Sequence, residues 1–184
     1  MAKLGGAAAV DRATPRGDAS ATMPHPRPAF LQAWSRFKEV SVSVKEVGKR
    51  IGGKVGYNIE AGIFQNACPI RMSYVLNYNG IPIPRSGYAV VSGDDKKWYM
   101  FRVNEMMTFL ERTFGMPDRT AKTPKTSDFV GVKGILVVKG HGWSNALGHV
   151  TLWDGNVCSD SCHLAADPDN GTFTPEVASL WTLR

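Results

Sequence analysis

An isolated cysteine, Cys68, comes directly before a proline in the apolar segment FQNACPIRMSYVLNY at residues 64–78. Because a proline lacks an N–H and is tolerated in the first turn of a helix, Pro69 predicts a helix that starts at Cys68. The peptide dipoles at a helix start favour a thiolate, and the unpaired N–H groups there can bind an oxyanion. Cys68 is therefore a candidate nucleophile, against the alternative that a lone cysteine is an inert buried side chain.

A thiol nucleophile needs a base that exchanges protons near pH 7, which points to histidine. The sequence contains four histidines: His25, His141, His149 and His163. His25 lies in a segment with the composition of a disordered leader, His141 and His149 bracket the loop GWSNALG, and His163 follows a cysteine. The position of each histidine relative to a carboxylate decides between them.

The segment HVTLWDGNVCSD, which begins at His149, predicts a β-hairpin because Asp154-Gly155 lies between two strand-like runs. With Asp154 and Gly155 as the central turn residues, His149 faces Asp160 at a Cβ separation of about 4.5–5.5 Å. If the turn is centred one residue later, Asp160 faces Thr151 and still lies on the His149 side. Both registers let Asp160 orient the imidazole of His149, the predicted general base. The alternatives for this aspartate are a turn residue or a solvated charge.

Two further cysteines, Cys158 and Cys162, form a close pair that fits either a disulfide or a metal site. A disulfide needs Cα atoms within about 4.4–6.8 Å, so the chain would have to bend around Asp160. A zinc site would add His141 and His163 as ligands. We disfavour zinc because the contiguous Cys162 and His163 side chains rarely converge on one metal ion.

Helices are predicted where apolar residues recur at helical spacing. The segments AFLQAWSRFKEV and NEMMTFLERTF each predict a helix, the second with Asn104 as its N-cap. The helix that starts at Cys68 is expected to end near Asn79-Gly80. The glycine-rich segment from Gly48 to Gly56 lacks phosphate-loop spacing and is interpreted as a loop.

Strands are predicted from short runs of β-forming or apolar residues, KWYMFRV at 97–103 and GILVVKG at 134–140. Residues 115–132 contain two prolines and many polar residues, which favours a surface loop. The tail from Asp167 is interpreted as mostly loop, closed by a short strand at 180–183. The resulting mixture of elements predicts an α+β protein.

Composition places the chain among single globular domains, with 184 residues, 43% hydrophobic and 21% charged. Residues 1–28, rich in Ala, Gly and Pro, are interpreted as a disordered leader or a segment added for expression, and residues 29–184 as one catalytic domain. The net charge of +6 includes no cluster of lysines and arginines that would predict nucleic-acid binding. No apolar run is long enough to predict membrane insertion.

Five segments carry a resemblance to a known family: IGGKVGYNI, GIFQNACPIRMSYVLN, VKGHGWSNALGHVTLW, VCSDSCHL and DPDNGTFTPEV. Between about Phe30 and Arg184 the chain resembles the type VI secretion amidase effectors of the fourth family, cell-wall peptidases that bacteria deliver into competitors. The resemblance implies a papain-like cell-wall cysteine peptidase fold, with the central nucleophile helix packed on an antiparallel sheet. It also implies a Cys68, His149 and Asp160 triad.

The same resemblance implies a disulfide between Cys158 and Cys162, and hydrolysis of the bond between γ-D-glutamate and meso-diaminopimelate in peptidoglycan stem peptides. It further implies a cognate periplasmic immunity protein, and synthesis in the cytoplasm followed by type VI secretion into the periplasm of the target bacterium. No cofactor is expected. The side chains expected near the substrate are Tyr57, Gln65, Asn66, Trp143, Ser144 and Asn145. An inactive cell-wall or partner-binding module with the same fold is the alternative to the enzyme.

Overall fold

The computed structural model describes residues 24–184, so most of the predicted leader lies outside the described residues. Near the end of the predicted leader, the Arg27 side chain pairs with Asp118 and donates to the carbonyls of Thr182 at 3.0 Å and Phe114 at 3.2 Å. The boundary at residue 29 stays a prediction, and Arg27 already packs on the domain. None of the helices among residues 24–184 has the length and apolar character needed to cross a membrane.

Between residues 24 and 184 there are five α-helices: α1 (Phe30–Val40), α2 (Val44–Ile51), α3 (Gly53–Glu60), α4 (Cys68–Asn77) and α5 (Val103–Phe114). Helix α1 is confirmed, and α4 begins at Cys68 and ends close to Asn79-Gly80, as predicted. The prediction that Asn104 caps α5 is wrong, because the N-cap is Arg102 and Asn104 already lies within the first turn.

The prediction of a loop from Gly48 to Gly56 is wrong, because this segment forms the second half of α2 and the first half of α3. The Ser43 hydroxyl accepts from the N–H of Glu46 and so caps α2. A Cβ at Gly56 would lie 2.8 Å from the Gly48 carbonyl oxygen, so the glycines let the two helices pack closely. This tertiary contact offsets the low helix propensity of glycine.

In the described part of the chain, six strands form two antiparallel sheets. A small sheet pairs β1 (Val90–Ser92) with β2 (Trp98–Met100), and the main sheet has the order β3-β6-β4-β5. Its strands are β3 (Arg119–Lys122), β6 (Thr174–Thr182), β4 (Gly134–His141) and β5 (Gly148–Trp153). The fold is therefore α+β, and the strands predicted at 97–103 and 134–140 are confirmed, the first in part.

Two loop predictions fail in the main sheet. Residues 115–132 contain the edge strand β3 and a 3₁₀ helix at Thr126–Phe129, and the tail contains β6, a nine-residue strand between β3 and β4. Strand β6 has the sequence TPEVASLWT, and its first half is largely exposed. That half therefore lacks the run of apolar residues from which a buried strand is predicted. Pairing on both sides stabilises this segment where its own composition does not.

Strand β5 lies at the edge of the main sheet and packs against α4. Since side chains alternate along a strand, Val150 and Leu152 enter the core with Met72 of α4. His149 and Thr151 then share the opposite face of β5. The fold thereby brings a histidine on the edge strand close to the start of the cysteine helix.

Candidate active site

Cys68 is the first residue of α4 and is a free thiol, only 5% exposed. It follows the N-cap residue Ala67, and Pro69 occupies the first turn, as the sequence predicts. The first N–H groups of a helix have no intrahelical acceptor, which leaves the N–H of Cys68 available to a ligand. The thiol lies where the partial positive charge of the helix end is concentrated.

His149 is buried on β5, with its imidazole Nε2 3.0 Å from Oδ1 of Asp160. This contact leaves Nδ1 as the nitrogen that can serve Cys68. Burial by itself would lower the pKa of His149, but the negative charge of Cys68 and the hydrogen bonds with Asp160 and Cys68 outweigh it and raise this pKa to about 10. The site therefore favours the protonated, imidazolium form of His149.

Asp160 contacts two side chains besides His149. The Thr151 hydroxyl donates to Oδ1 at 2.5 Å, and Nη1 of Arg71 lies 3.7 Å from Oδ2. Burial of Asp160 opposes its ionisation, but the hydrogen bond and charge of His149, the Thr151 hydroxyl and the Arg71 charge lower its pKa. Asp160 is therefore held as a carboxylate that faces the imidazole.

The turn before Asp160 adopts the later of the two registers allowed by the sequence. Trp153 pairs with Cys158 in an isolated bridge, and the N–H of Asp154 donates to the carbonyl of Val157 at 3.0 Å. Gly155 and Asn156 are therefore central, and the register that placed His149 directly opposite Asp160 is wrong. Gly155 has a φ of 105°, a conformation that glycine adopts without strain.

Cys158 and Cys162 form a disulfide with a Cα separation of 5.3 Å, as the resemblance implied. The zinc interpretation fails because both sulfurs are in this bond, and His141 instead pairs with Glu176 at 2.9 Å. The disulfide closes a short loop that contains Asp160. The carboxylate is thus fixed by a covalent bridge as well as by its hydrogen bonds.

Two clefts meet at Cys68. The first, the His149 cleft, has a volume of about 360 Å³ and includes His149, Arg71, Asp160 and Ser161. The second, the Leu147 cleft, has a volume of about 440 Å³ and includes Pro69, Arg102 and Leu147. Four residues line both: Asn66, Cys68, Trp143 and Asn145. A larger hollow beside α2 and α3 contains neither a cysteine nor a histidine, which leaves the two clefts as the candidate site.

The predicted substrate-binding residues divide into three groups. Asn66, Trp143 and Asn145 line both clefts, and Ser144 lines the Leu147 cleft. Gln65 lines the larger hollow and accepts from the Asn145 amide at 3.1 Å, so it supports a cleft residue. Tyr57 is 69% exposed on α3 and lines neither cleft. The structure does not bring Tyr57 to the site.

Sequence reasoning missed two side chains of the site, Arg71 and His163 as a cleft residue, whereas the later hairpin register had already placed Thr151 opposite Asp160. The His163 ring lies edge-on to His149 and to Trp143, each with ring centroids 4.7 Å apart. Burial and the charge of His149 lower the pKa of His163, which favours a neutral ring in this wall. The three-residue spacing of Arg71 from Cys68 was a signal for one shared helix face.

The site and fold thus define an α+β protein with a buried cysteine, a histidine and a carboxylate at one cleft, an arrangement that suits acyl transfer. Comparisons with known proteins agree with this class. Residues 64–180 match the family model described as the type VI secretion system amidase effector protein 4. The chain belongs to this family of amidase effectors, Tae4, as the sequence resemblance indicated.

Solved structures of the family are similar over their full lengths. The Tae4 effector from Salmonella typhimurium, in complex with the immunity protein Tai4 from Enterobacter cloacae, is 62% identical, has a TM-score of 0.83 and covers 86% of this chain and 100% of its own. The Tae4–Tai4 complex from Enterobacter cloacae is 57% identical, with a TM-score of 0.84 and the same coverages. Tae4 from Enterobacter cloacae alone is 56% identical, with a TM-score of 0.82, and covers 88% of this chain and 100% of its own. No curated protein matches the chain.

Proposed function

We propose that this amidase effector is a cysteine peptidase of papain-like fold that cuts the γ-D-glutamyl–meso-diaminopimelate amide bond of peptidoglycan stem peptides. The observation that carries the proposal is the His149 imidazole, with Nε2 3.0 Å from Asp160 and Nδ1 left for Cys68 in the same cleft. Cysteine nucleophiles are activated by a neighbouring base that a third group orients, and this arrangement supplies all three.

In the first half of the reaction, the Cys68 thiolate attacks the amide carbon and forms a carbon–sulfur bond. The negative charge that develops on the carbonyl oxygen is stabilised by the free N–H of Cys68 at the start of α4. Asn66, which lines both clefts, is a candidate for a second donor. His149 then gives its proton to the amide nitrogen, the carbon–nitrogen bond breaks and the amine leaves.

In the second half, neutral His149 removes a proton from water, which attacks the thioester carbon. The carbon–sulfur bond breaks, the γ-carboxylate product leaves, and the thiolate and imidazolium are restored. Asp160 keeps the same imidazole orientation in both halves, because its carboxylate receives Nε2 throughout. One histidine therefore acts first as an acid and then as a base.

The position of His149 also orients the substrate. The leaving nitrogen has to receive its proton from His149, so the diaminopimelate half lies in the His149 cleft. The γ-D-glutamyl half lies on the other side of Cys68, in the Leu147 cleft. Arg102, the arginine of the Leu147 cleft, is suited to the free carboxylate of that glutamyl residue.

The partners and location follow from family membership and belong to the same proposal. Relatives are solved as complexes with the immunity protein Tai4. A cognate immunity protein of this kind would protect the producing bacterium in its periplasm, where peptidoglycan is exposed. Delivery by the type VI apparatus into the periplasm of the target cell would bring the enzyme to its substrate.

The test is mass spectrometry of purified peptidoglycan fragments after incubation with the protein. The proposal expects a stem peptide that ends in D-glutamate and a product that begins with diaminopimelate. Cleavage at another amide would leave the enzyme class standing but contradict the bond assignment. Intact fragments with a folded protein would favour the binding module that the fold also permits.

A further inference from the structure

Arg71 lies on α4 three residues after Cys68 and lines the His149 cleft. Its guanidinium donates from Nε to the carbonyl of Val40 at 2.9 Å and from Nη2 to the carbonyl of Val42 at 2.6 Å. Both carbonyls belong to the end of α1 and the turn that follows it. Because the guanidinium is planar and rigid, these two bonds also fix the direction of its third nitrogen.

That third nitrogen, Nη1, lies 3.7 Å from Oδ2 of Asp160, and both side chains are mostly buried, 15% and 19% exposed. Oδ1 of the same carboxylate already receives His149 and Thr151. The positive guanidinium therefore faces the one oxygen of Asp160 that the catalytic histidine does not use. A carboxylate held on both oxygens cannot rotate away from the imidazole.

The turn after α1 also reaches the loop that carries Asp160, since the Ser41 hydroxyl donates to the carbonyl of Ser159 at 3.4 Å. The nucleophile helix, the end of α1 and the disulfide loop thus meet around one side chain, Arg71. We propose that Arg71 is a positioning residue, which acts through Asp160 to keep His149 aligned with Cys68. This inference rests on the proposed triad and extends it to a fourth side chain.

The charged and titratable groups around Asp160 come from each neighbouring element: Cys68 and Arg71 from α4, His149 from β5 and His163 from the segment after the disulfide. Arg71 is the one guanidinium among these groups. Its loss leaves Asp160 with the histidine and the Thr151 hydroxyl as its remaining partners. A lysine at this position would restore the charge but not the two guanidinium hydrogen bonds to the carbonyls of Val40 and Val42.

The test is a double-mutant cycle between Arg71→Met and Asp160→Asn, read as kcat and KM on peptidoglycan fragments. Arg71→Met alone should lower kcat by about ten- to hundredfold, the size of a hydrogen bond or ion pair to a charged group, with little change in KM. In the Asp160→Asn background the same substitution should cost less than about twofold, because residues that act as a unit are non-additive. Equal costs in both backgrounds would overturn the inference.

Chemical rescue separates positioning from simple destabilisation. Added methylguanidinium should restore part of the kcat of Arg71→Gly, whereas methylammonium should restore less, because only the former reproduces the fork. Arg119→Met is a matched control, since Arg119 also donates to two backbone carbonyls, those of Asp128 and Val130, but lines neither cleft. It should leave kcat unchanged, and equal losses in the two variants would contradict a specific role for Arg71.

Alkylation of Cys68 by iodoacetamide near neutral pH distinguishes failure of this inference from failure of the proposed function. If wild-type Cys68 reacts no faster than an ordinary thiol, the proposed thiolate–imidazolium pair is contradicted. If the wild-type reaction is fast and Arg71→Met changes neither the alkylation rate nor kcat, only the proposed role of Arg71 is contradicted. Slower alkylation and a lower kcat together are the expected result.

Discussion

The Thr151 hydroxyl lies 2.5 Å from Oδ1 of Asp160, the same oxygen that receives the His149 imidazole at 3.0 Å. Thr151 is fully buried two residues after His149 on β5, so both side chains project from one face of the strand. The threonine therefore fixes the carboxylate relative to the strand that carries His149. Both partners of Asp160 Oδ1 are set by a single strand register.

Thr151→Val should reduce kcat by about tenfold, because it removes a hydrogen bond to a charged group while keeping a similar shape. Thr151→Ser keeps the hydroxyl and should retain most of the activity. The measurement is kcat on peptidoglycan fragments, with the melting temperature as a control for folding. If valine and serine lose activity equally, the hydroxyl is not what orients Asp160.

Histidine substitutions separate the proposed base from a surface histidine. His149→Ala should lower kcat nearly as far as loss of Cys68, since the members of a catalytic unit lose their effect together. His141→Ala should retain nearly full activity, because His141 is exposed and pairs with Glu176 on the surface. A fully active His149→Ala beside an inactive His141→Ala would mean that the base is misassigned.

The pKa of His149 predicts how stability depends on pH. Although burial opposes the charge, the negative Cys68 and the Asp160 hydrogen bond raise this pKa to about 10, above the value of about 6.5 for an unfolded chain. The folded state therefore binds this proton more tightly, and the resulting stability is fully present below about pH 6.5 and is lost as pH rises through about 10.

The melting temperature between pH 6 and pH 10 checks this linkage in wild type and in Cys68→Ala. The variant lacks the negative sulfur, so its histidine should lose the proton at lower pH and its alkaline loss of stability should begin earlier. Identical profiles for the two proteins would show that Cys68 does not supply the charge that stabilises the imidazolium.

The sequence predicts the three central residues of this site, Cys68, His149 and Asp160, but not all of the side chains that hold them in place. Pro69 locates the start of α4, and the turn residues before Cys158 restrict Asp160 to the His149 side in either register. Arg71 contacts Asp160 only after α4 has packed beside the disulfide loop, so its role depends on tertiary structure, whereas the Thr151 contact follows from the later hairpin register. The i to i+3 spacing from Cys68 suggests only that Arg71 shares its helix face.

The errors in the predicted secondary structure also arise from contacts that form only in the folded protein. Gly48 and Gly56 disfavour a helix by intrinsic propensity, yet they are what allows α2 and α3 to touch. Strand β6 becomes a strand through its two neighbours, β3 and β4, rather than through its own composition. Intrinsic propensities describe a segment without the partner against which it packs, so they miss elements whose stability depends on that partner.

The disulfide should support catalysis more than global stability. The ring closed by Cys158 and Cys162 is small, so its loss releases little loop-closure entropy, but it frees the segment that contains Asp160. The double variant Cys158→Ser, Cys162→Ser should fold, keep an alkylatable Cys68 and turn over more slowly. Full activity in that variant would mean that Thr151 and Arg71 hold Asp160 without the bridge.

The most direct measurement of the central claim is turnover of peptidoglycan fragments by Cys68→Ala beside wild type, with mass spectrometry of the new termini. Cys68 is the buried sulfur at the start of α4, and its replacement would remove the proposed nucleophile while leaving the helix intact. The account predicts a stem peptide ending in D-glutamate with wild type, and no such product with a variant that melts at a similar temperature. The same product released at a normal rate by folded Cys68→Ala would contradict it.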